Sequence, residues 1–219
     1  MIFSAKNRRF RRPGLQLHIG AGDKPIPGWV NIDKVEGPGI DLVADVTRGL
    51  DFHEVAAVYA EHFLEHLPVQ EALAFLTDVH RVLAGDGLLR VTTPNLEWVW
   101  ATHYRLDLDT DEKREKAIGI NRAFHAWGHR FLWNRELLET ALEACGFTDI
   151  AWCRRGESGH RLFRDLESHE TYVDVGELQH VIIAEARRGP ERPDLFQQFR
   201  RLIHEQFLDH LEDQRGPGR

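Results

Sequence analysis

The sequence has no long apolar run. Among its 219 residues the longest is VAAVYA, residues 55–60, whereas a helix that spans a bilayer needs about 20 mostly apolar residues. The basic N-terminal arm, residues 1–14, is not followed by the apolar stretch of a secretory signal. We therefore expect no membrane partner and a cytoplasmic location.

Cysteine and positive charge are also scarce. Cys145 and Cys153 are the two cysteines, and neither their number nor their spacing fits a disulfide framework or a zinc site. The formal net charge of −7 argues against a nucleic-acid partner. The four arginines between residues 8 and 12 are therefore interpreted as part of a solvated arm. Histidine, in contrast, is abundant, with 13 residues.

Short apolar runs alternate along the chain with helical patterns. Apolar residues at steps of three and four predict a helix that begins at Pro68 and ends before Gly85, and another from about Asn134 to Cys145. Seven runs have the length and composition of buried strands; they are residues 15–19, 29–32, 41–46, 55–60, 88–93, 147–152 and 180–186. This alternation predicts a layered α/β domain with a mostly parallel sheet.

The chain divides into one domain and two flanking segments. Residues 15–187 form the predicted domain, and its polar segments 101–128 and 154–179 are expected to enclose a substrate. Residues 188–219 contain an amphipathic helix and tail. Because this tail is not basic, we expect it to pack on the domain or on a partner, for example in a homodimer, and not on a membrane.

The stretch LHIGAGDKPIPGWVNID, residues 17–33, indicates the type of ligand. Ligands of open α/β sheets bind beyond the carboxyl ends of the strands. Gly20 and Gly22 let a ligand approach the backbone closely, and Asp33 is placed to accept hydrogen bonds from ribose hydroxyls. Asp45, near the end of the third strand, could accept a bond from an exocyclic amine such as that of adenine.

The connection after Gly22 is too short for the helix that follows such a turn in dinucleotide sites. That helix binds pyrophosphate through its free N–H groups and its dipole, and a loop with Pro25 and Pro27 supplies little of either. S-adenosylmethionine has a ribose and an adenine without phosphates, and its sulfonium cation suits acidic surroundings. The sequence thus favours methyl transfer over hydride transfer, with a nicotinamide-dependent oxidoreductase as the alternative.

The run AEHFLEHLPVQEALAFLTDVHRVLAGDGLLRVTTPN, together with LHIGAG, WVNID and GHRFLWNRELLETALEACGF, resembles the class I S-adenosylmethionine-dependent methyltransferases. It is most similar to a subgroup of small bacterial enzymes met beside glycan-assembly genes. The resemblance covers about residues 15–187. It implies a Rossmann-like seven-stranded sheet with the last strand antiparallel, helices on both faces, and a small-molecule or glycan-like acceptor methylated at oxygen or nitrogen.

The resemblance also implies a set of cofactor-binding residues. Backbone contacts fall to Gly20, Ala21 and Gly22, ribose contacts to Asp33, adenine contacts to Asp45 and Val46, and closure around the methionine end to Glu61 and His62. The sequence departs from the pattern at His18, where many members have an acid that orients the amino group of the cofactor. This departure leaves open a catalytically silent binding module of the same fold.

Histidines supply the candidate acid–base groups. A hydroxyl acceptor benefits from a base with a pKa near neutrality, and His62 and His129 are the candidates. His62, Glu65 and His66 share one face if the segment is helical, and with His129 they resemble the ligand set of some divalent-metal-dependent methyltransferases. The pair Glu65–His66 is also common in members without a metal, and no metal is assigned. His169, in the second polar segment, is expected at the surface.

Overall fold

Seven strands form a single sheet in a computed structural model of the chain, which describes residues 10, 12–104, 108–169 and 172–212. The spatial order is β3-β2-β1-β4-β5-β7-β6. β7 pairs antiparallel with β5 and β6, and the other pairs are parallel. The strands are β1 Gln16–Ile19, β2 Val30–Asp33, β3 Leu42–Val43, β4 Val55–Glu61, β5 Leu83–Pro94, β6 Phe147–Trp152 and β7 Val181–Arg188. This topology confirms the predicted Rossmann-like sheet. Most of the predicted basic arm lies outside the described residues.

The α-helices of the described residues all come after β4 in the chain. They are α1 Val69–Val82, α2 Leu96–His103, α3 Thr110–His125, α4 Arg135–Ala144, α5 Pro193–Ile203 and α6 Asp209–Glu212. The α4 helix begins where predicted because the Asn134 side chain accepts a hydrogen bond from the N–H of Leu137 (3.0 Å). Within the described ranges no helix is long and apolar enough to cross a membrane.

β3 is shorter than the predicted strand over residues 41–46. It ends at Val43, and Asp45 then caps a 3-10 helix, Val46–Arg48, so the chain leaves the strand conformation before residue 46. Residues 20–29, between β1 and β2, contain no helix, as the short connection and its prolines predict.

One face of the sheet packs against α1, α4 and α5 in the main apolar core. Their side chains meet alternate residues of the strands, such as Leu17, Val58 and Leu89, which are all fully buried. Phe199 and Ile203 on α5 are buried in the same core. The amphipathic C-terminal helix therefore lies against the domain.

The opposite face carries a row of buried polar side chains. The strand register aligns Asn31, His18, Tyr59, Arg90 and Glu185 across five strands, and each is at most 5% exposed. All five side chains point to the same face because side chains alternate along each strand.

A loop segment covers this polar face. The segment is residues 154–169, which we call the covering segment, and it contains the 3-10 helix Arg161–Phe163. Phe163 is fully buried in a small cluster with Trp29 and Tyr59. Arg90 forms ion pairs with two carboxylates. Glu167 of this segment accepts a hydrogen bond from Nε (2.7 Å), and Glu185 accepts one from Nη1.

Candidate active site

The glycine turn after β1 lies at the carboxyl edge of the sheet, where the sequence predicts the cofactor. Gly20 and Gly22 have positive φ values of 68° and 51°, a conformation that favours glycine. A Cβ atom on Gly20 would also lie 2.9 Å from Cδ2 of Phe63, which follows β4. The turn thus requires glycine both for its backbone conformation and for its contact with the neighbouring strand end.

The N–H groups of this turn are engaged inside the protein. Gly20 and Ala21 both donate to the carbonyl of Ile32 (2.9 and 3.1 Å), and Gly22 donates to Oδ2 of Asp33 (2.9 Å). The second oxygen of Asp33, Oδ1, accepts from the N–H of Val35 (2.9 Å). The structure therefore brings the glycine turn and Asp33 together, and none of the three N–H groups of the turn is directed at a ligand.

Asp45 stabilises the 3-10 helix after β3. Its Oδ1 accepts hydrogen bonds from the backbone N–H (3.1 Å) and the hydroxyl (2.7 Å) of Thr47. The Thr47 hydroxyl holds the pKa of Asp45 below its usual value. Val46, the first residue of that helix, is buried in the main core. The capping role of Asp45 is visible in the fold, and its predicted adenine contact stays a prediction, as does that of Val46.

Glu61, at the end of β4, binds the covering segment. Its two carboxylate oxygens accept from the N–H (2.9 and 3.1 Å) and hydroxyl (2.8 Å) of Ser168 and from the N–H of His169 (3.1 Å). Nδ1 of the His169 ring lies 3.2 Å from Oε2 of Glu61. Burial raises the pKa of Glu61, but the hydrogen bonds from His169 and Ser168 outweigh burial and lower it to about 2. Glu61 is therefore ionised and fully occupied by its own chain.

The roles of Ser168 and His169 were not apparent from the sequence. They lie in a polar segment 107 and 108 residues beyond their partner, and no local spacing links them to Glu61. His169 is exposed, as expected, with 49% of its side chain accessible, and it lies at the carboxyl edge of the sheet, where its ring lies 4.8 Å from that of His62.

His18 belongs to the polar row and is buried. Its Nδ1 lies 3.1 Å from Oδ1 of Asn31, and its ring lies 5.3 Å from that of Tyr59. Burial lowers its pKa, which favours the neutral imidazole at neutral pH. The departure from the family pattern at this position is thus accommodated by a hydrogen bond between β1 and β2.

His62 is held in a defined orientation by Glu65. Its Nδ1 lies 2.9 Å from Oε1 of Glu65, and the other oxygen of that fully buried carboxylate accepts from the hydroxyl of Thr93 (3.1 Å). His62 also has a positive φ of 48°, a left-handed conformation that is uncommon for residues other than glycine. When Nδ1–H donates to the carboxylate, Nε2 is left as a base, as in other carboxylate–histidine pairs.

His129 lies close to Glu65 and His66. Its Nδ1 donates to the carbonyl of Ala123 (2.7 Å), which leaves Nε2 as its lone-pair nitrogen. Glu65, His66 and His129 offer three ligand atoms within 4.8 Å of one another. Ligand atoms of tetrahedral zinc lie roughly 3.4 Å apart, and both Glu65 oxygens already accept hydrogen bonds. These three residues are the candidate metal ligands if the site holds an ion.

A cavity of about 750 Å³ adjoins these residues beyond β4 and β5. Its walls include Trp98 on α2, Lys116 and Arg122 on α3, and Trp127. Six histidines also line it: His62, His66, His103, His129, His169 and His180. Burial lowers the pKa of His180 to about 4 and lowers those of His66 and His103. Both candidate bases, His62 and His129, therefore face one cavity.

The sequence matches no protein-family model, and it matches no curated protein. Among solved structures, the chain is similar to a SAM-dependent methyltransferase from Archaeoglobus fulgidus at 15% identity, covering 84% of this chain and 92% of that one with a TM-score of 0.52. It is also similar to a possible exported protein from Bordetella parapertussis at 15% identity and a TM-score of 0.50; that match covers 84% of this chain but only 65% of the other. With the strand order and the antiparallel β7, these likenesses show that the chain has the Rossmann-like fold of the class I methyltransferases.

Proposed function

We propose that the protein is an S-adenosylmethionine-dependent methyltransferase that acts on oxygen or nitrogen of a small-molecule or glycan-like acceptor. One observation carries the proposal. The three N–H groups of the glycine turn are all engaged internally, while the carboxylate of Asp33 lies against the same turn. A ribose donates hydrogen bonds to a carboxylate, whereas a pyrophosphate needs free N–H donors. The arrangement supports a nucleoside ligand without phosphates.

The residues at this edge fit such a cofactor. When bound, S-adenosylmethionine supplies an electrophilic methyl group on a sulfonium. Asp33 would accept from the ribose hydroxyls, because each of its oxygens keeps a lone pair beyond its one backbone hydrogen bond. The glycines themselves place no side chain in the approach to β1, and Asp45 would face the adenine side.

The cavity beyond β4 and β5 would hold the acceptor. Methyl transfer is an in-line displacement in which positioning of the reactants supplies much of the rate. His62 would take the acceptor proton on Nε2, since Glu65 holds Nδ1 and so fixes both the tautomer and the ring orientation. His129, with Nδ1 bonded to a carbonyl, is the second candidate for this role.

The second candidate function is a catalytically silent binding module of the same fold. The observation that favours it is the complete occupation of Glu61 by Ser168 and His169, at the strand end where the resemblance places the methionine part of the cofactor. In such a module the covering segment would permanently fill part of the cofactor site.

Calorimetric titration separates these functions. We expect S-adenosylhomocysteine to bind in the micromolar range and NAD not to bind. Asp33→Asn should weaken S-adenosylhomocysteine binding at least about tenfold, which corresponds to about 1.4 kcal/mol. The matched control is Asp86→Asn, an exposed carboxylate at the opposite end of the sheet, which should leave the affinity unchanged.

Each other outcome has a distinct meaning. Binding of NAD alone would show an oxidoreductase and overturn the proposal. Binding of neither ligand by the folded protein would favour the silent module. An unchanged affinity in Asp33→Asn would contradict the proposed contact between Asp33 and the ribose. The assignment of the fold would not be affected.

A further inference from the structure

We propose that the 750 Å³ cavity selects an acceptor that carries an anionic group next to a flat ring. This inference rests on the proposed function, because it names the substrate class of the same site. Three features of the cavity carry it: two cations on α3, the near absence of opposing carboxylates, and flat aromatic walls.

Lys116 and Arg122 present their charges to the cavity from one helix. They lie six residues apart on α3, with Gly119 between them, and all three line the cavity. Nearby on the same helix, Arg114 is paired with Asp111 (2.6 Å). In the described part of the chain, no carboxylate lies within ion-pair distance of Lys116 or Arg122. Their charges are therefore available to a ligand.

The carboxylate content of the cavity does not balance these cations. Among the described lining residues Glu65 is the single acidic side chain, and its oxygens are engaged by His62 and Thr93. The chain as a whole has a net charge of −7. The positive character of this cavity is thus a local departure from a negative protein, which is the electrostatic pattern expected for an anionic ligand.

Three of the lining histidines add no net positive charge. Burial lowers the pKa of His103 and His180, so these rings are neutral near pH 7 and act as hydrogen-bonding groups. The hydrogen bond to Glu61 raises the pKa of His169, and that carboxylate neutralises its charge. We therefore assign the selection for an anion to Lys116 and Arg122.

Aromatic side chains form flat walls in the same cavity. Trp98 stacks on Tyr172 with an interplanar angle of 16° and a centroid distance of 5.7 Å, and its Nε1 donates to the carbonyl of Val173 (3.1 Å). Trp127 is 62% exposed and has a positive φ of 56°, which is unusual for a bulky residue and occurs preferentially at functional sites. Such walls suit the face of an aromatic or sugar ring.

The test uses three probes that share a phenyl ring: benzoate, phenyl phosphate and benzyl alcohol. Their dissociation constants are measured on the full chain by saturation-transfer NMR, with and without S-adenosylhomocysteine. We expect at least one anionic probe to bind about tenfold more tightly than the alcohol. The ratio between benzoate and phenyl phosphate then tells whether the cavity prefers a carboxylate or a phosphate.

Two double variants with the same change of charge locate the effect. Lys116→Gln with Arg122→Gln should bring the anions to within about twofold of the alcohol. Lys113→Gln with Arg114→Gln, exposed on the same helix and outside the cavity, should preserve the tenfold preference. The inference is overturned if neither anion binds better than the alcohol, or if both double variants lose the preference equally.

The binding of S-adenosylhomocysteine is recorded for each variant. If S-adenosylhomocysteine binds and the anions show no preference, the substrate class is wrong and the proposed function stands. If the anions are preferred and S-adenosylhomocysteine does not bind, the anion site stands and the proposed function fails.

Discussion

On the face of the sheet covered by α1 and α4, three neighbouring strands present Leu17, Val58 and Leu89 in register. On the opposite face the same strands present, one residue further on, His18, Tyr59 and Arg90. All six side chains are at most 3% exposed. The two faces are thus equally buried, but the first is held by apolar burial, whereas the second combines a small apolar cluster around Phe163 with hydrogen bonds and ion pairs.

This difference determines how precisely the elements on each face are positioned relative to the sheet: α1 and α4 on the apolar face and the covering segment on the polar face. Apolar burial is non-directional and is proportional to the area removed from water, so α1 and α4 can adjust without losing a specific partner. Arg90, in contrast, requires carboxylates at fixed positions, and one of them, Glu167, belongs to the covering segment. The next two residues, Ser168 and His169, bind Glu61. We infer that the polar face positions the covering segment relative to the candidate active site, whereas the apolar face supplies stability.

The largest expected effect comes from removing the charge of the polar face. Arg90→Met keeps most of the side-chain volume but leaves Glu167 and Glu185 buried without their cation. We expect a loss of about 4 kcal/mol in the free energy of unfolding, because removing one partner of a buried ion pair leaves an uncompensated charge in the interior. Urea denaturation measures this loss.

A control and a rescue variant make the Arg90 result specific. Arg187→Met removes a half-exposed arginine from the same face, 3.6 Å from Asp149, and should cost about 1 kcal/mol or less. Adding Glu185→Gln to Arg90→Met should recover part of the loss, because one stranded charge is removed. A loss for Arg90→Met no larger than that for Arg187→Met would contradict the proposed role of the polar row.

The apolar face should respond to truncation with a smaller loss. Leu76 on α1 is fully buried in the main core, and Leu76→Ala should lower the free energy of unfolding by about 3 kcal/mol through lost burial and a residual cavity. Because Leu76 is buried in the core and does not line the cavity, the affinity of the folded variant for S-adenosylhomocysteine should stay within twofold. Leu202→Ala, at a residue 48% exposed, is the control and should change stability by about 0.5 kcal/mol or less. A large loss of affinity in Leu76→Ala would show that the apolar face also positions the site.

The sequence predicts the apolar face and the glycine turn well, because their signals are local. Periodicity places α1 and α4, short apolar runs place the strands, and the register of Gly22 with Asp33 follows from two adjacent short strands. The polar face is different. Its partners are separated by up to 108 residues, and nothing near Arg90 indicates that Glu167 will approach it.

The sequence predicts the candidate bases and the acceptor cavity only in part. The spacing of His62, Glu65 and His66 predicts a shared location, and the structure adds that Glu65 is fully buried and bonded to His62. The sequence does not show that Lys116 and Arg122, within a charged segment expected to be a solvated helix face, line the same cavity. Which face of a charged helix meets a cavity depends on tertiary packing and not on local pattern.

The smallest expected effect concerns the contact between His169 and Glu61, where the polar face meets the site. The hydrogen bond to Glu61 raises the pKa of His169 above its usual 6.5, so this contact stabilises the folded state fully below pH 6.5 and is lost as the pH rises through the folded-state value. The lowered pKa of Glu61 contributes stability above its usual 4.5, which is lost as the pH falls towards about 2. The attachment of the covering segment should therefore be strongest between about pH 4.5 and 6.5.

An NMR titration of the imidazole signals tests this contact directly. In the wild-type protein His169 should titrate above its usual range, and in Glu61→Gln its pKa should fall towards that range because the anionic partner is gone. The control is Glu177→Gln, whose exposed carboxylate pairs with Arg154 and should leave the His169 titration unchanged. If His169 titrates identically in wild type and Glu61→Gln, the covering segment is not held by this pair. Its position over the site would then depend on the Arg90–Glu167 pair, on the contacts of Ser168 with Glu61 and on the buried Phe163.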